Sequence, residues 1–150
     1  MGWIERLRGT VVAVDTAPLI YLIEENPSYL SCVRPFFEAV DRGEFQVVTS
    51  TLTLTEVLIH PLRHGDTKLA DEYPRILLHA NQIATVPVSD GIAEEAAQLR
   101  ARHGFRTPDA IQLATAVRTG ASSFLTNDAR FSGVASLTIL VLNQLNATSP

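Results

Sequence analysis

The stretch from Val11 to Glu24, VVAVDTAPLIYLIE, constrains this chain more than any other part of it. Its four opening residues are apolar and three are β-branched, the composition of a parallel strand buried on both faces. The run stops at Asp15-Thr16 and a helical pattern begins at once, with Pro18 in its first turn, where the missing N–H does no harm. A strand that runs directly into a helix puts Asp15 at the carboxyl edge of a sheet. Open α/β folds keep their ligand crevice on that edge.

The rest of the chain repeats the alternation. Apolar spacing predicts further helices over Leu30–Arg42, Ser50–Leu62, Thr67–His79, Ser89–His103 and from Thr107 to Gly120, the third of these bent or interrupted at Pro74. Strands are predicted at Phe45–Val48, Ile83–Val88, Ser123–Thr126 and Leu137–Leu142. This pattern reads as a three-layer α/β/α sandwich around a parallel sheet of about four to five strands. At 150 residues the expectation is a single domain, with a lead-in over 1–9 and a frayed tail over 146–150.

Composition narrows the function classes. A net charge of −4 argues against a protein that coats nucleic acid, which would be strongly basic. Yet all but one of its 12 basic residues are Arg, the side chain whose planar fork suits phosphate. The lone Cys32 cannot form an internal disulfide, in keeping with a reducing, cytoplasmic setting. The apolar run near the start is broken by Asp15, Thr16 and Pro18, so no membrane span or signal sequence is expected there.

Four acids carry the functional reading: Asp15, Glu56, Asp109 and Asp128. Each has an ordinary structural use. Asp15 suits an N-cap, Asp109 the first turn of a helix, Asp128 a turn, and Thr53-Leu54-Thr55-Glu56 has the form of a capping box. Taken together they mean more. Asp15 and Asp128 both follow apolar strands that a parallel sheet would bring to one edge, and Glu56 and Asp109 lie near the starts of helices facing it. Two carboxylates ~4 Å apart repel by roughly 4 kcal/mol at an effective dielectric of about 20. Such a group either takes up protons or surrounds a divalent cation, and an all-oxygen ligand set favours Mg²⁺ or Mn²⁺.

In these pieces the chain resembles the PIN-domain family of metal-dependent ribonucleases, including the toxins of VapBC-type toxin–antitoxin pairs. The matching segments are the opening strand with Asp15-Thr16, Glu56 in the helix after the second strand, Arg106-Thr107-Pro108-Asp109-Ala110-Ile111-Gln112-Leu113-Ala114, and Leu125-Thr126-Asn127-Asp128-Ala129-Arg130-Phe131. The resemblance implies that Asp15, Glu56, Asp109 and Asp128 form an acidic quartet binding one or two Mg²⁺ or Mn²⁺ ions. It implies hydrolysis of RNA by an activated water, leaving a 5′-phosphate and a 3′-hydroxyl. It further implies a cognate antitoxin as partner and a homodimer. Many family members carry Asn or Ser two positions after the first Asp, where this chain has Ala17. The polar support for the acids then falls to Thr16 or Thr126.

Arg102, Arg106 and Arg130 flank the acidic segments and are candidates to grip backbone phosphates. His60 and His64 lie one turn apart, but Pro61 and the lack of a third soft ligand nearby disfavour a zinc site. The apolar stripes Val33/Phe36/Phe37 and Tyr73/Ile76/Leu77 either serve self-association or belong to the core. The alternative function is a non-catalytic PIN-fold module that binds RNA or protein. A phosphatase with Asp15 as nucleophile would want a second acid at position 17, and a flap-type DNA nuclease needs more carboxylates and a larger chain.

Overall fold

The computed structural model describes residues 2–134 and 136–148. In it the opening apolar run forms β1 (Val11–Val14), the middle strand of a five-stranded sheet. On one side lie β2 (Gln46–Ser50) and then β3 (Ile83–Val86); on the other lie β4 (Ser123–Thr126) and then β5 (Thr138–Val141). The order is β3-β2-β1-β4-β5, and every neighbouring pair is parallel.

Alternation along β1 divides the interior in two, because successive side chains point to opposite faces. Val12 and Val14 pack with Leu19 of α1 (Thr16–Ile23), Val33 and Phe36 of α2 (Leu30–Asp41), Val57 of α3 (Thr51–His64), Tyr73 and Leu77 of α4 (Thr67–His79), and Leu142 of α7 (Leu142–Thr148). Ala13 and Phe124 pack on the opposite face with Ile92 and Leu99 of α5 (Asp90–His103) and Leu113 and Ala114 of α6 (Thr107–Arg118). Helices on both faces of a parallel sheet make the α/β/α sandwich. A strand hidden from water on both sides explains why β1 reads as an unbroken apolar run, while β4 is apolar only at Phe124 and Leu125 and buries Ser123 and Thr126 at its ends.

Several local expectations are revised. α4 runs unbroken through Pro74, because full burial of Tyr73 and Leu77 beside it holds the helix across the missing N–H. Those residues, like Val33, Phe36 and Phe37, are core, so the first stripe is spent on packing and the second leaves only half-buried Ile76 at the surface. β3 stops at Val86, ahead of Pro87, which has no N–H to offer a ladder. The lead-in is anchored: Leu7 is buried at the end of a 3₁₀ turn, and Trp3 stacks on Phe36 with ring centroids 5.8 Å apart. At the other end, the backbone of 146–148 continues α7, which the apolar pattern did not announce. Residues 149–150 of the expected tail lie outside the described residues. Among the described residues no helix is long and apolar enough to cross a membrane.

Candidate active site

From β1 the chain builds β2 and β3 on one side, then crosses back to lay β4 on the other. The strand order therefore reverses between β1 and β4, which is where open α/β sheets leave a crevice beyond their carboxyl ends. Asp15 is the first residue past β1 and caps α1; its Oδ1 accepts the Thr16 N–H at 2.8 Å. Its Oδ2 accepts the Thr126 hydroxyl, also at 2.8 Å, from the end of β4. The Thr126 oxygen in turn accepts the Asp128 N–H at 3.1 Å, so one hydroxyl ties both strand-end acids together.

Glu56 reaches the same crevice from α3. The capping box expected at Thr53–Glu56 is not formed. Ser50 caps α3 instead, its Oγ accepting the Leu52 N–H at 3.0 Å, and so Thr53 lies inside the helix, fully buried. Glu56, released from that duty, accepts the Thr16 hydroxyl on Oε1 at 2.6 Å. Asp109 comes from the first turn of α6, where its Oδ2 accepts Arg106 Nε at 3.2 Å. Asp15, Glu56, Asp109 and Asp128 line one cavity of about 330 Å³, together with Thr16, Ala17, Tyr21, Arg106, Gln112 and Thr126.

The acids differ in electrostatic setting. Burial pushes the Asp15 carboxyl above its ordinary pKa of 3.8; bonds from Thr126 and Thr16 pull it back, and the neighbouring charges of Glu56 and Asp109 push it up again. Asp128 goes the other way. The hydrogen-bonded Arg130 guanidinium holds its carboxyl below the usual range. That pair is bidentate, with Nε at 2.9 Å from Oδ1 and Nη2 at 2.5 Å from Oδ2. Two acids thus have an arginine counter-charge, while among the described residues no ion pair is formed by Asp15 or Glu56.

Among the described residues no three acidic, histidine or cysteine side chains are grouped closely enough to hold an ion as they stand. The reason is visible in the bonds: Asp109 and Asp128 are turned onto Arg106 and Arg130, and Glu56 onto Thr16. The donor set nevertheless fits a hard divalent cation. It is all oxygen, and it concentrates negative charge around a buried carboxylate.

A polar chain that the sequence did not disclose holds the Glu56 side of the cavity. Buried Gln112 donates through Nε2 to Thr53 Oγ1 at 2.8 Å and, more weakly, to Thr16 Oγ1 at 3.4 Å. Thr53 and Thr49 hydroxyls lie 2.9 Å apart, and Thr49 donates to the Val14 carbonyl at 2.9 Å. A hydroxyl has one proton, so Thr49's bond to that carbonyl makes Thr53 the donor between them. Thr16's proton is likewise committed to Glu56. Each member then has one orientation, and every buried side-chain nitrogen and oxygen among the described residues has a partner. The available signal was Gln112, a polar residue three positions after Asp109 within an otherwise small and apolar helix stretch. Asn127 and Tyr21 were missed as well; Asn127 Nδ2 donates to the Tyr21 hydroxyl at 3.2 Å on the cavity wall.

The three flagged arginines separate. Arg106 lines the cavity, Arg130 stands beside it through Asp128, and Arg102, exposed in the last turn of α5, is not among its lining residues. His60 and His64 pack on each other, with ring centroids 4.1 Å apart and His64 Nδ1 3.0 Å from the His60 carbonyl, away from the acids of the cavity.

Residues 12–137 match the PIN domain, a span that runs from β1 through β4 and stops just short of β5. The chain belongs to the PIN domain family. No curated protein matches its sequence. Several solved PIN-like structures share the fold. A chain of VapBC2 from Rickettsia felis, solved bound to a promoter DNA fragment, superposes with a TM-score of 0.67 at 14% identity, covering 86% of this chain and 96% of that one. A toxin–antitoxin complex from Klebsiella pneumoniae gives 0.59 at 24% identity, with coverages of 85% and 95%. VapC20 from Mycobacterium tuberculosis, a toxin that cleaves the sarcin–ricin loop, gives 0.62 at 19% identity, with coverages of 75% and 86%. At such identities the likeness carries the fold alone.

Proposed function

We propose that this PIN protein is an endoribonuclease that hydrolyses RNA phosphodiester bonds with Mg²⁺ or Mn²⁺ held by Asp15, Glu56, Asp109 and Asp128. The observation that carries the reading is the convergence of those acids, from four separate elements, on one cavity at the strand-order reversal. A divalent cation bound there would supply the counter-charge that Asp15 lacks, lower the pKa of a water and neutralise charge developing on the phosphate. The protein's own part is positioning. Thr126 and the Thr16 N–H fix both oxygens of Asp15, the Gln112 chain fixes the Thr16 hydroxyl, and that hydroxyl orients Glu56. Arg106 and Arg130, already at the rim, are placed to take backbone phosphates in exchange for their carboxylates.

The VapBC likeness supports a toxin with a protein antitoxin as partner; a cytoplasmic setting and a homodimeric assembly are part of the same proposal. With the expected stripes otherwise in the core, large apolar residues exposed for assembly on α3 and α4 are Ile59, Leu62 and Leu78, with half-buried Ile76 beside them on α4. The arginine-neutralised pairs favour one other reading, a PIN-fold module that binds RNA or protein without cutting.

End-labelled structured RNA incubated with Mn²⁺ separates the two. Cleavage by the wild type, abolished by EDTA and by Asp109→Asn, is the expected outcome. No Mn²⁺ binding by calorimetry and no cleavage would overturn the nuclease reading in favour of the binding module.

A further inference from the structure

A second cavity, of about 200 Å³, adjoins the acidic one and shares Arg106 and Asp109 with it. Its remaining wall comes from the link between α5 and α6 and from the turn after Asp128. α5 ends at His103; Gly104, with φ +74°, turns the chain, and Phe105 follows before Arg106 opens α6. The left-handed φ explains the glycine, and nothing lies within 4 Å of where its Cβ would stand, so the wall there is open.

The lining is aromatic and cationic at once. Half-buried Phe105 lies 5.3 Å from the exposed His103 ring and 5.8 Å from buried Phe131, which meets Phe124 of β4 edge-on at 5.5 Å. This series of rings runs from the sheet to the surface and holds Phe105 against the core. Arg130 and Arg106 stand at the rim, each in an ion pair with an acid of the first cavity. An apolar ligand would have no use for two guanidinium groups, and a bare phosphate none for the rings. A planar, aromatic, phosphate-linked group uses both.

We propose that this cavity is a subsite for one unstacked nucleobase of single-stranded RNA, next to the phosphodiester bond cut in the acidic cavity. It rests on the nuclease reading. A base inside a duplex has both faces covered, whereas a splayed base offers a face to Phe105 and His103 while its phosphate lies toward Arg106 and the acids. The subsite therefore favours RNA loops and single strands over paired helices.

The test couples a base to a side chain. A short fluorescein-labelled single-stranded RNA, and versions with one abasic nucleotide at each position in turn, are bound to wild type, Phe105→Leu and Phe105→Tyr. Anisotropy is read with Ca²⁺ in place of Mn²⁺, and the same RNAs are assayed for cleavage with Mn²⁺. One abasic position should weaken binding about fivefold or more for wild type and Phe105→Tyr. In Phe105→Leu, which keeps the apolar packing on Phe131, that difference should vanish. An equal penalty in Phe105→Leu, or no sensitive position, overturns the subsite; Mn²⁺-dependent cleavage by the wild type would then leave the nuclease reading standing. Wild type that neither binds nor cuts these RNAs overturns both. Should Phe105→Leu fail to fold, NMR of the 4 histidine rings decides. His103 must shift on RNA addition while His60 and His64 do not, and an unmoved His103 rejects the subsite.

Discussion

Replacing Gln112 with Leu tests whether the buried polar chain positions the acids. The substitution keeps the volume nearly constant and removes the amide that donates to Thr53 at 2.8 Å and to Thr16 at 3.4 Å. The shorter bond is neutral and buried, worth about 1 kcal/mol net, while the longer one is near the geometric limit and adds little. Thr53's oxygen is then left in a dry site without its donor, which brings the loss to roughly 1–2 kcal/mol. For a domain of this size each kcal/mol moves the melting temperature by about 2–4 °C, so calorimetry should show a fall of roughly 2–8 °C. The second effect is local. Thr53's oxygen, 3.3 Å from the Thr16 hydroxyl and now without the amide, competes for its proton, and Glu56 loses the 2.6 Å bond that orients it. Supports of this kind typically carry about 10- to 100-fold in metal affinity or activity. Mn²⁺ binding by Gln112→Leu should therefore weaken by about tenfold or more, and RNA cleavage with it. A variant with wild-type melting temperature and wild-type Mn²⁺ affinity would refute the reasoning, because the amide would then be a passive filler.

Asp15→Asn should melt higher than the wild type at neutral pH. Folding raises the pKa of Asp15, chiefly by burial, so its favourable contribution exists below the ordinary value of 3.8 and is lost as pH rises through the folded value. The gap between the two proteins should close in acid, and a gap independent of pH would contradict it; Mn²⁺ binding should fall in the same variant. Arg130→Gln should return Asp128 toward its ordinary 3.8, read by carboxyl carbon NMR. The sign is opposite here: Arg130 lowers that pKa, so its contribution is present above 3.8 and fades as pH falls through the folded value. An Asp128 titration unchanged by the substitution would show that the ion pair does not persist in solution.

Much of this was written in short-range pattern. The run Val11–Val14 is legible as a buried strand because both faces of a parallel sheet are dry, and Phe124-Leu125 mark the shorter apolar centre of Ser123–Thr126. Asp15 follows its strand directly and Asp128 follows two residues after its own, so a parallel pairing was enough to place them at one edge. Glu56 was less legible, because the pattern around it also suits a structural role. The capping box it completes on paper is replaced by Ser50, since the strand β2 runs straight into α3 and starts the helix earlier.

The sequence by itself determined the elements and the carboxylates, because periodicity and chain breaks act over a few residues. Only the tertiary structure decided the strand order that makes β1 and β4 neighbours, and with it the crevice between them. It also decided that Val33, Phe36, Tyr73 and Leu77 are interior, which a helical stripe cannot say until something covers it. The partners of Gln112 lie 59 and 96 positions away, and no local rule connects them. A buried amide finds whatever hydroxyls the fold brings to it, and here those are the ones that orient Glu56.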